Sequence, residues 1–148
     1  MGLDEYLTRT VFYRERSFTP DDYRRSMFSH SRELPGSLAL LDEIAATGVQ
    51  LASLNNESRD LNEHRIRSFR LDERLSIFLS SCYLGVKKPE KAMYELALQI
   101  TQRRPEEIVF IDDRSLNLEC AADLAIDGVL FTGIDELRSA LIDRGLPL

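Results

Sequence analysis

From residue 49 onward, four short β-rich runs alternate with helical stretches, and the first three runs each end near a conspicuous polar group. The runs are Val49–Leu54, Ile77–Ser80, Ile108–Ile111 and Gly128–Phe131. Between them lie a charged helix over about 58–69 and a helix opened by Pro89, with Ala92, Met93, Leu96, Ala97 and Ile100 on one face. A small-residue helix over about 116–125 and a closing helix over 134–144, stopped by Gly145, complete the pattern. Crossovers of that length impose parallel, right-handed pairing with helices on both faces. The expected architecture is therefore α/β, an open, doubly wound parallel sheet. In such sheets ligands bind beyond the carboxyl ends of the strands.

The first 48 residues read differently, as helices only. A short helix over about 3–9 leads into Thr10-Val11-Phe12-Tyr13, whose pattern fits either helix or strand. Thr19-Pro20-Asp21-Asp22 combines a hydroxyl N-cap, proline at the first helical position and acids in the first turn, and opens a helix to about His30. Pro35-Gly36-Ser37 breaks the chain before a helix carrying Leu38, Leu40, Leu41 and Ile44, closed by Gly48. Composition narrows the function classes. The net charge of −6 disfavours nucleic acid and anionic membranes as partners. No apolar run approaches the length of about 18 residues that a membrane span requires. Met1-Gly2-Leu3-Asp4-Glu5 does not read as a signal peptide, and Cys82 and Cys120 stand far apart, so a cytoplasmic protein with reduced thiols is expected.

The chemistry is sought at the strand ends. Asn55-Asn56 follow the first run, Lys87-Lys88-Pro89 the second, and Asp112-Asp113 the third. Taken singly, these read as a turn, a solvated loop and a helix cap. Parallel strands bring all three to one edge. There a carboxylate pair can hold Mg²⁺, a lysine can offset an anion, and an amide can bond its oxygens. That set describes a phosphoryl-transfer site.

Three segments carry a resemblance: 51–59 (LASLNNESR), 85–94 (GVKKPEKAMY) and 108–117 (IVFIDDRSLN). They resemble the second, third and fourth motifs of the haloacid dehalogenase-like hydrolase superfamily, in particular its small-capped, phosphatase-like members. The resemblance covers nearly the whole chain. Its sharpest parts are Lys88 before Pro89 with Tyr94 following, and Asp112-Asp113 with Asn117 and an Ala-rich helix. It implies a Rossmann-like three-layer αβα core over residues 36–148 and part of a helical cap over 1–35. It further implies Lys88 as the lysine that steadies phosphate and nucleophile, Asp112 and Asp113 as Mg²⁺ anchors, and Asn55 and Asn56 as the phosphate-binding residues.

Two departures stand out. The second motif ordinarily ends in Ser or Thr; here Asn55 takes that position, with Ser53 two residues earlier on the same side. The first motif, an apolar strand ending in Asp-x-Asp that supplies the attacking carboxylate, has no counterpart in the 148 residues. The expectation is a chain that lacks its first central strand and begins inside the cap. Without the nucleophile, turnover should fall by about 10⁴- to 10⁶-fold. The absent strand would lie between those ending at Asn55 and Ile111, leaving either a rearranged pairing or a gap for a homo-oligomer or a strand-completing partner chain to cover. Completed, such a protein would hydrolyse a small phosphorylated metabolite. The alternative is a non-catalytic module of the same fold that binds Mg²⁺ and an anion, or a partner chain. A receiver-like signalling domain would order its acids and lysine the other way round. His30, His64, Cys82 and Cys120 read as structural, and Arg59 and Tyr13–Arg16 as surface charge.

Overall fold

The computed structural model describes residues 3–148. Met1 and Gly2, at the head of the expected cap segment, lie outside the described residues. Helix α1 (Leu3–Thr10) buries Leu3 and Leu7. The ambiguous stretch that follows forms no strand: Thr10 ends α1, and the chain then turns back with Val11 and Phe12 both bonded to the Leu7 carbonyl. Helix α2 (Pro20–Ser29) starts as its sequence demands. The Asp22 amide donates to Thr19 Oγ1 at 3.1 Å and the Thr19 amide to Asp22 Oδ2 at 2.9 Å, a reciprocal capping box. The Thr19 amide is the first cause of a carboxyl pKa for Asp22 pulled down to about 2. An Arg24–Asp4 ion pair ties α2 to α1. Helix α3 (Ser37–Ala46) buries Leu40 and Ile44, and left-handed Gly48 (φ 84°) turns the chain out of it.

The alternating half follows in the expected order. It comprises β1 (Ala52–Asn55), α4 (Arg59–Ser68), β2 (Ile77–Ser80), the one-turn α5 (Ser81–Leu84) and α6 (Lys91–Thr101). After them come β3 (Val109–Asp112), α7 (Ser115–Ala122), β4 (Asp127–Leu130) and α8 (Ile134–Ile142). The single-turn segments Leu71–Glu73 and Pro105–Glu107 lead into β2 and β3. Strand β1 runs parallel to β2, with Asn55 opposite Ser80; β3 runs parallel to β4, with Asp112 opposite Leu130.

The four strands form two parallel pairs, and among the described residues no ladder joins β1 to β3. The break falls at the position of the expected gap, and its physical signature is on β3. In a doubly wound sheet a strand this apolar is covered on both faces, yet Val109 and Ile111 are 38% and 36% exposed. The layers themselves are intact. On one face Leu40 and Ile44 of α3 meet Leu137 and Leu141 of α8 over Val129. On the other, Met93 and Tyr94 of α6 meet Ala121 of α7 over Phe110. Gly128 permits that second layer to close on β4, because a Cβ there would stand 3.3 Å from Leu118 Cδ2.

Candidate functional site

Strands β1 and β3 end at Asn55 and Asp112 on the carboxyl edge, and Lys88 reaches the same edge from the loop after α5. At that edge the three sequence segments meet. Lys88 Nζ lies 2.6 Å from Asp112 Oδ2, with the two side chains 13% and 4% exposed. The ammonium also sits 5.5 Å from the Phe110 ring centroid, within cation–π range. Asp112 Oδ1 accepts from the Arg114 amide and from Asn117 Nδ2, both at 2.9 Å. Burial is the largest influence on this carboxyl and acts to raise its pKa. The donors from Lys88, Asn117 and Arg114 outweigh it and hold the group below the usual carboxylate value.

Asn56 explains how Lys88 is held. Its Nδ2 donates to the Lys88 carbonyl and its Oδ1 accepts from the Lys88 amide, each at 2.8 Å. The amide thus copies a strand partner, gripping both polar groups of one residue. Asn55 is differently engaged. Its Nδ2 donates to Asn62 Oδ1 at 2.9 Å, and Asn62 Nδ2 donates to the Tyr83 hydroxyl at 3.3 Å. Asn55 Oδ1 and, two residues back, Ser53 Oγ are buried without a hydrogen-bond partner. Asp113 is exposed at the head of the α7 turn, and among the described residues its carboxylate enters no ion pair or hydrogen bond.

Lys88, Asp112 and Asn56 are therefore brought into contact, Asp113 stands next to them, and Asn55 turns its donor toward Asn62. Asn62 and Tyr83 carry no signal in the sequence, because their part depends on where α4 and α5 fall. Tyr94 and Asn117 are linked by a buried bond from the Tyr94 hydroxyl to the Asn117 carbonyl at 2.9 Å. Burial first, then the charges of Cys120 and Asp112, push the Tyr94 phenol up to about 12. The remaining candidates are structural: His64 stacks on Phe28 at 4.3 Å, His30 Nδ1 bonds the Ser26 carbonyl, and Arg59 packs over Tyr83.

The donor set suits a hard cation that keeps much of its water. Among the described residues no three His, Cys, Asp or Glu side chains converge, so the protein offers the Asp112–Asp113 pair alone. Asn117 Oδ1 is buried beside Asp112 without a partner. Mg²⁺ is commonly held by one or two carboxylates, with water and phosphate oxygens completing its octahedron. Next to this edge, α1 and α2 roof a cavity of about 770 Å³ whose floor includes Asn56, Glu57, Ser81 and Val86.

Residues 4–131 match the sequence profile described as haloacid dehalogenase-like hydrolase. Flavin mononucleotide hydrolase 1 of Arabidopsis thaliana is 29% identical over 97% of this chain, which spans 58% of that protein's length. A HAD-like family hydrolase structure from Porphyromonas gingivalis superposes with a TM-score of 0.81, at 20% identity, over 100% of this chain and 75% of that one. A HAD family enzyme of Bacteroides thetaiotaomicron, in complex with magnesium and inorganic phosphate, superposes at 0.78 with 17% identity, over 88% and 69% of the two chains.

Proposed function

The chain belongs to the haloacid dehalogenase-like hydrolase family, and from that premise we propose that it supplies the cation- and anion-holding part of a Mg²⁺-dependent phosphomonoester hydrolase. The observation that carries this reading is the buried 2.6 Å contact between Lys88 and Asp112. Asp113, with Asp112 beside it, would hold Mg²⁺. When bound, the cation supplies positive charge that offsets the phosphoryl oxygens. Lys88 adds a second positive group, kept in place by Asp112 on its ammonium and by Asn56 on its backbone. Asp112 does two jobs, anchoring the lysine and lending its remaining lone pairs to the cation.

Asn55 meets the anion once its amide is turned over. Turning Asn55 and Asn62 together keeps every bond in their chain. Tyr83 then donates to Asn62 Oδ1, Asn62 to Asn55 Oδ1, and the Asn55 nitrogen takes the buried, unpartnered position that Oδ1 held, where a phosphate oxygen would have to displace its surroundings to meet it. The partition of the segment is a cap over residues 1–35 and a core over 36–148. Its substrate would be a small phosphorylated metabolite, and its compartment cytoplasmic. The two free thiols suit such a compartment, and no helix among the described residues is long and apolar enough to cross a membrane.

The 148 residues contain no Asp-x-Asp, so by themselves they are proposed to bind without turnover. The open edge of β3, with Val109 and Ile111 exposed, supports a further strand or a second copy as its cover. Calorimetry of inorganic phosphate with and without Mg²⁺ tests the reading. Mg²⁺-dependent binding is expected in the 148-residue chain and is lost in Lys88→Ala and in Asp113→Ala. Binding indifferent to both substitutions overturns it, and 4-nitrophenyl phosphate turnover at ordinary enzyme rates refutes the non-catalytic part.

A further inference from the structure

A second cavity, of about 330 Å³, lies in the seam between α2 and α4. Among the described residues it shares only Tyr23 and Met27 with the cavity under the roof. The seam is fastened at two points. Phe28 of α2 stacks on His64 of α4 at 4.3 Å, and Arg65 Nε of α4 donates to Ser31 Oγ, beyond the end of α2, at 2.9 Å. Tyr23, Met27 and Leu61 give the cavity apolar walls, and Arg65, Ser31 and His30 bring polar groups to it. Each of these groups has hydrogen-bonding capacity to spare. Arg65 spends Nε on Ser31 and Nη1 on Glu57, and among the described residues its Nη2 donors have no partner. Ser31 Oγ accepts from Arg65 and keeps its own O–H to donate. His30, structural through Nδ1, has a second nitrogen. Nδ1 lies 2.6 Å from the Ser26 carbonyl, which can only accept. Nδ1 therefore carries the hydrogen, and Nε2 of the neutral ring is an acceptor that becomes a donor when the ring is protonated.

Charge decides the class of ligand. Glu57 already balances Arg65, and the ionisable residues of the lining are His30, Arg65 and Tyr23. An anion settling here is balanced only by a proton taken up on His30. We propose that the α2–α4 seam binds a small monocarboxylate with an apolar body, of about the size of benzoate, together with one proton. One carboxylate oxygen accepts from Arg65 Nη2 and Ser31 Oγ, the other from the protonated His30 Nε2, and the body packs on Tyr23, Met27 and Leu61. The volume lies at the lower end of the range for small-molecule sites, which favours a ligand of one ring or a short branched chain. Because His30 and Ser31 follow α2 while Arg65 belongs to α4, the bound ligand bridges the two helices and braces α2 against α4. The inference does not rest on the phosphohydrolase reading, since neither Lys88 nor Asp112 lines this cavity.

The test titrates benzoate into the 148-residue chain by calorimetry, in two buffers of different ionisation heat, and follows the Met27 and Leu61 methyls by NMR. A dissociation constant of about 1 mM is expected near pH 6. It should weaken about tenfold near pH 7.5, with uptake of one proton on binding. Amide exchange over residues 20–29 should slow when benzoate is bound. His30→Gln keeps a donor but no titrating ring, so the proton uptake and the pH dependence should both vanish. Ser31→Ala should weaken binding about fivefold. Arg65→Met would strand the buried Glu57, so it is made together with Glu57→Gln, and the pair should abolish binding. Benzoate that leaves both methyls unmoved, binds without proton uptake, or keeps its pH dependence in His30→Gln overturns the inference. Binding lost in Lys88→Ala but untouched by Ser31→Ala places benzoate at the phosphate edge and overturns it too. In every case the Mg²⁺-dependent phosphate titration decides the phosphohydrolase reading separately.

Discussion

Replacing Lys88 by Met keeps most of the side-chain stem and removes the charge, and its cost can be worked from the site. At the 2.6 Å separation of Nζ and Oδ2, and at an effective dielectric of about 20, the Coulomb attraction is about 6 kcal/mol. Desolvating the two ions costs several kcal/mol each, so the pair by itself contributes little net stability. Removing one partner is another matter. Asp112, 4% exposed, would be left as a buried carboxylate with only the Arg114 amide and Asn117 Nδ2 as donors. Breaking a buried pair in this way costs about 3–5 kcal/mol, and the two remaining donors place Lys88→Met near 3. Asp112→Asn strands the ammonium and should cost a similar amount. The double variant Lys88→Met/Asp112→Asn leaves no net charge behind and should recover much of the loss, for a coupling energy of about 2–4 kcal/mol. Urea unfolding of the four proteins measures it, with a shared m-value as the check on two-state behaviour. The pH dependence carries a sign as well. The folded pKa of Asp112 is depressed, so its contribution in the wild type is full above about 3.9 and lost as pH falls through the folded value. In Lys88→Met the Asp112 carboxylate loses its strongest donor, so acidification should narrow the gap to wild type. Additivity of the two substitutions within about 0.5 kcal/mol would refute the whole argument.

Asn56→Ala removes both bonds to the Lys88 backbone; about 1–3 kcal/mol of stability should be lost on urea unfolding, and Mg²⁺-dependent phosphate binding should weaken with it. Tyr94→Phe leaves the Asn117 carbonyl without its buried donor. It should cost about 1–2 kcal/mol by thermal unfolding, and difference absorbance near pH 12 should lose one late-titrating phenol, since Tyr94 titrates at about 12. The Asp22 carboxyl is held at about 2 by the Thr19 cap. Its support of α2 should therefore be complete above about 3.9 and disappear as pH falls toward 2, read as faster amide exchange over residues 20–25.

Much of the site was legible because its members announce themselves locally. The Asp112-Asp113 pair closes β3 and Lys88 before Pro89 follows β2 after the single turn of α5, so parallel pairing brings both to one edge. The individual roles were not legible. Asn55 and Asn56 are chemically identical neighbours, yet one faces Asn62 and the other grips Lys88. That division follows from the alternation of side chains at the end of β1 and from where α4 presents Asn62. Glu57 carries no signal in the sequence; only its burial against Arg65 and its unpartnered, buried Oε2 distinguish it.

Taken alone, the amino-acid order determined what short-range physics controls. It placed the four strands, the capped start of α2, the turn out of α3 at Gly48, and the edge of the sheet to which the polar residues go. Hydrophobic period and capping chemistry act over a few residues, so they can be read in one dimension. Tertiary structure alone decided that Asp112 is the carboxylate that binds Lys88, that Asn56 grips the Lys88 backbone, and that a cavity opens under the helical roof. Each of these depends on which distant segments meet and on how much water their meeting excludes.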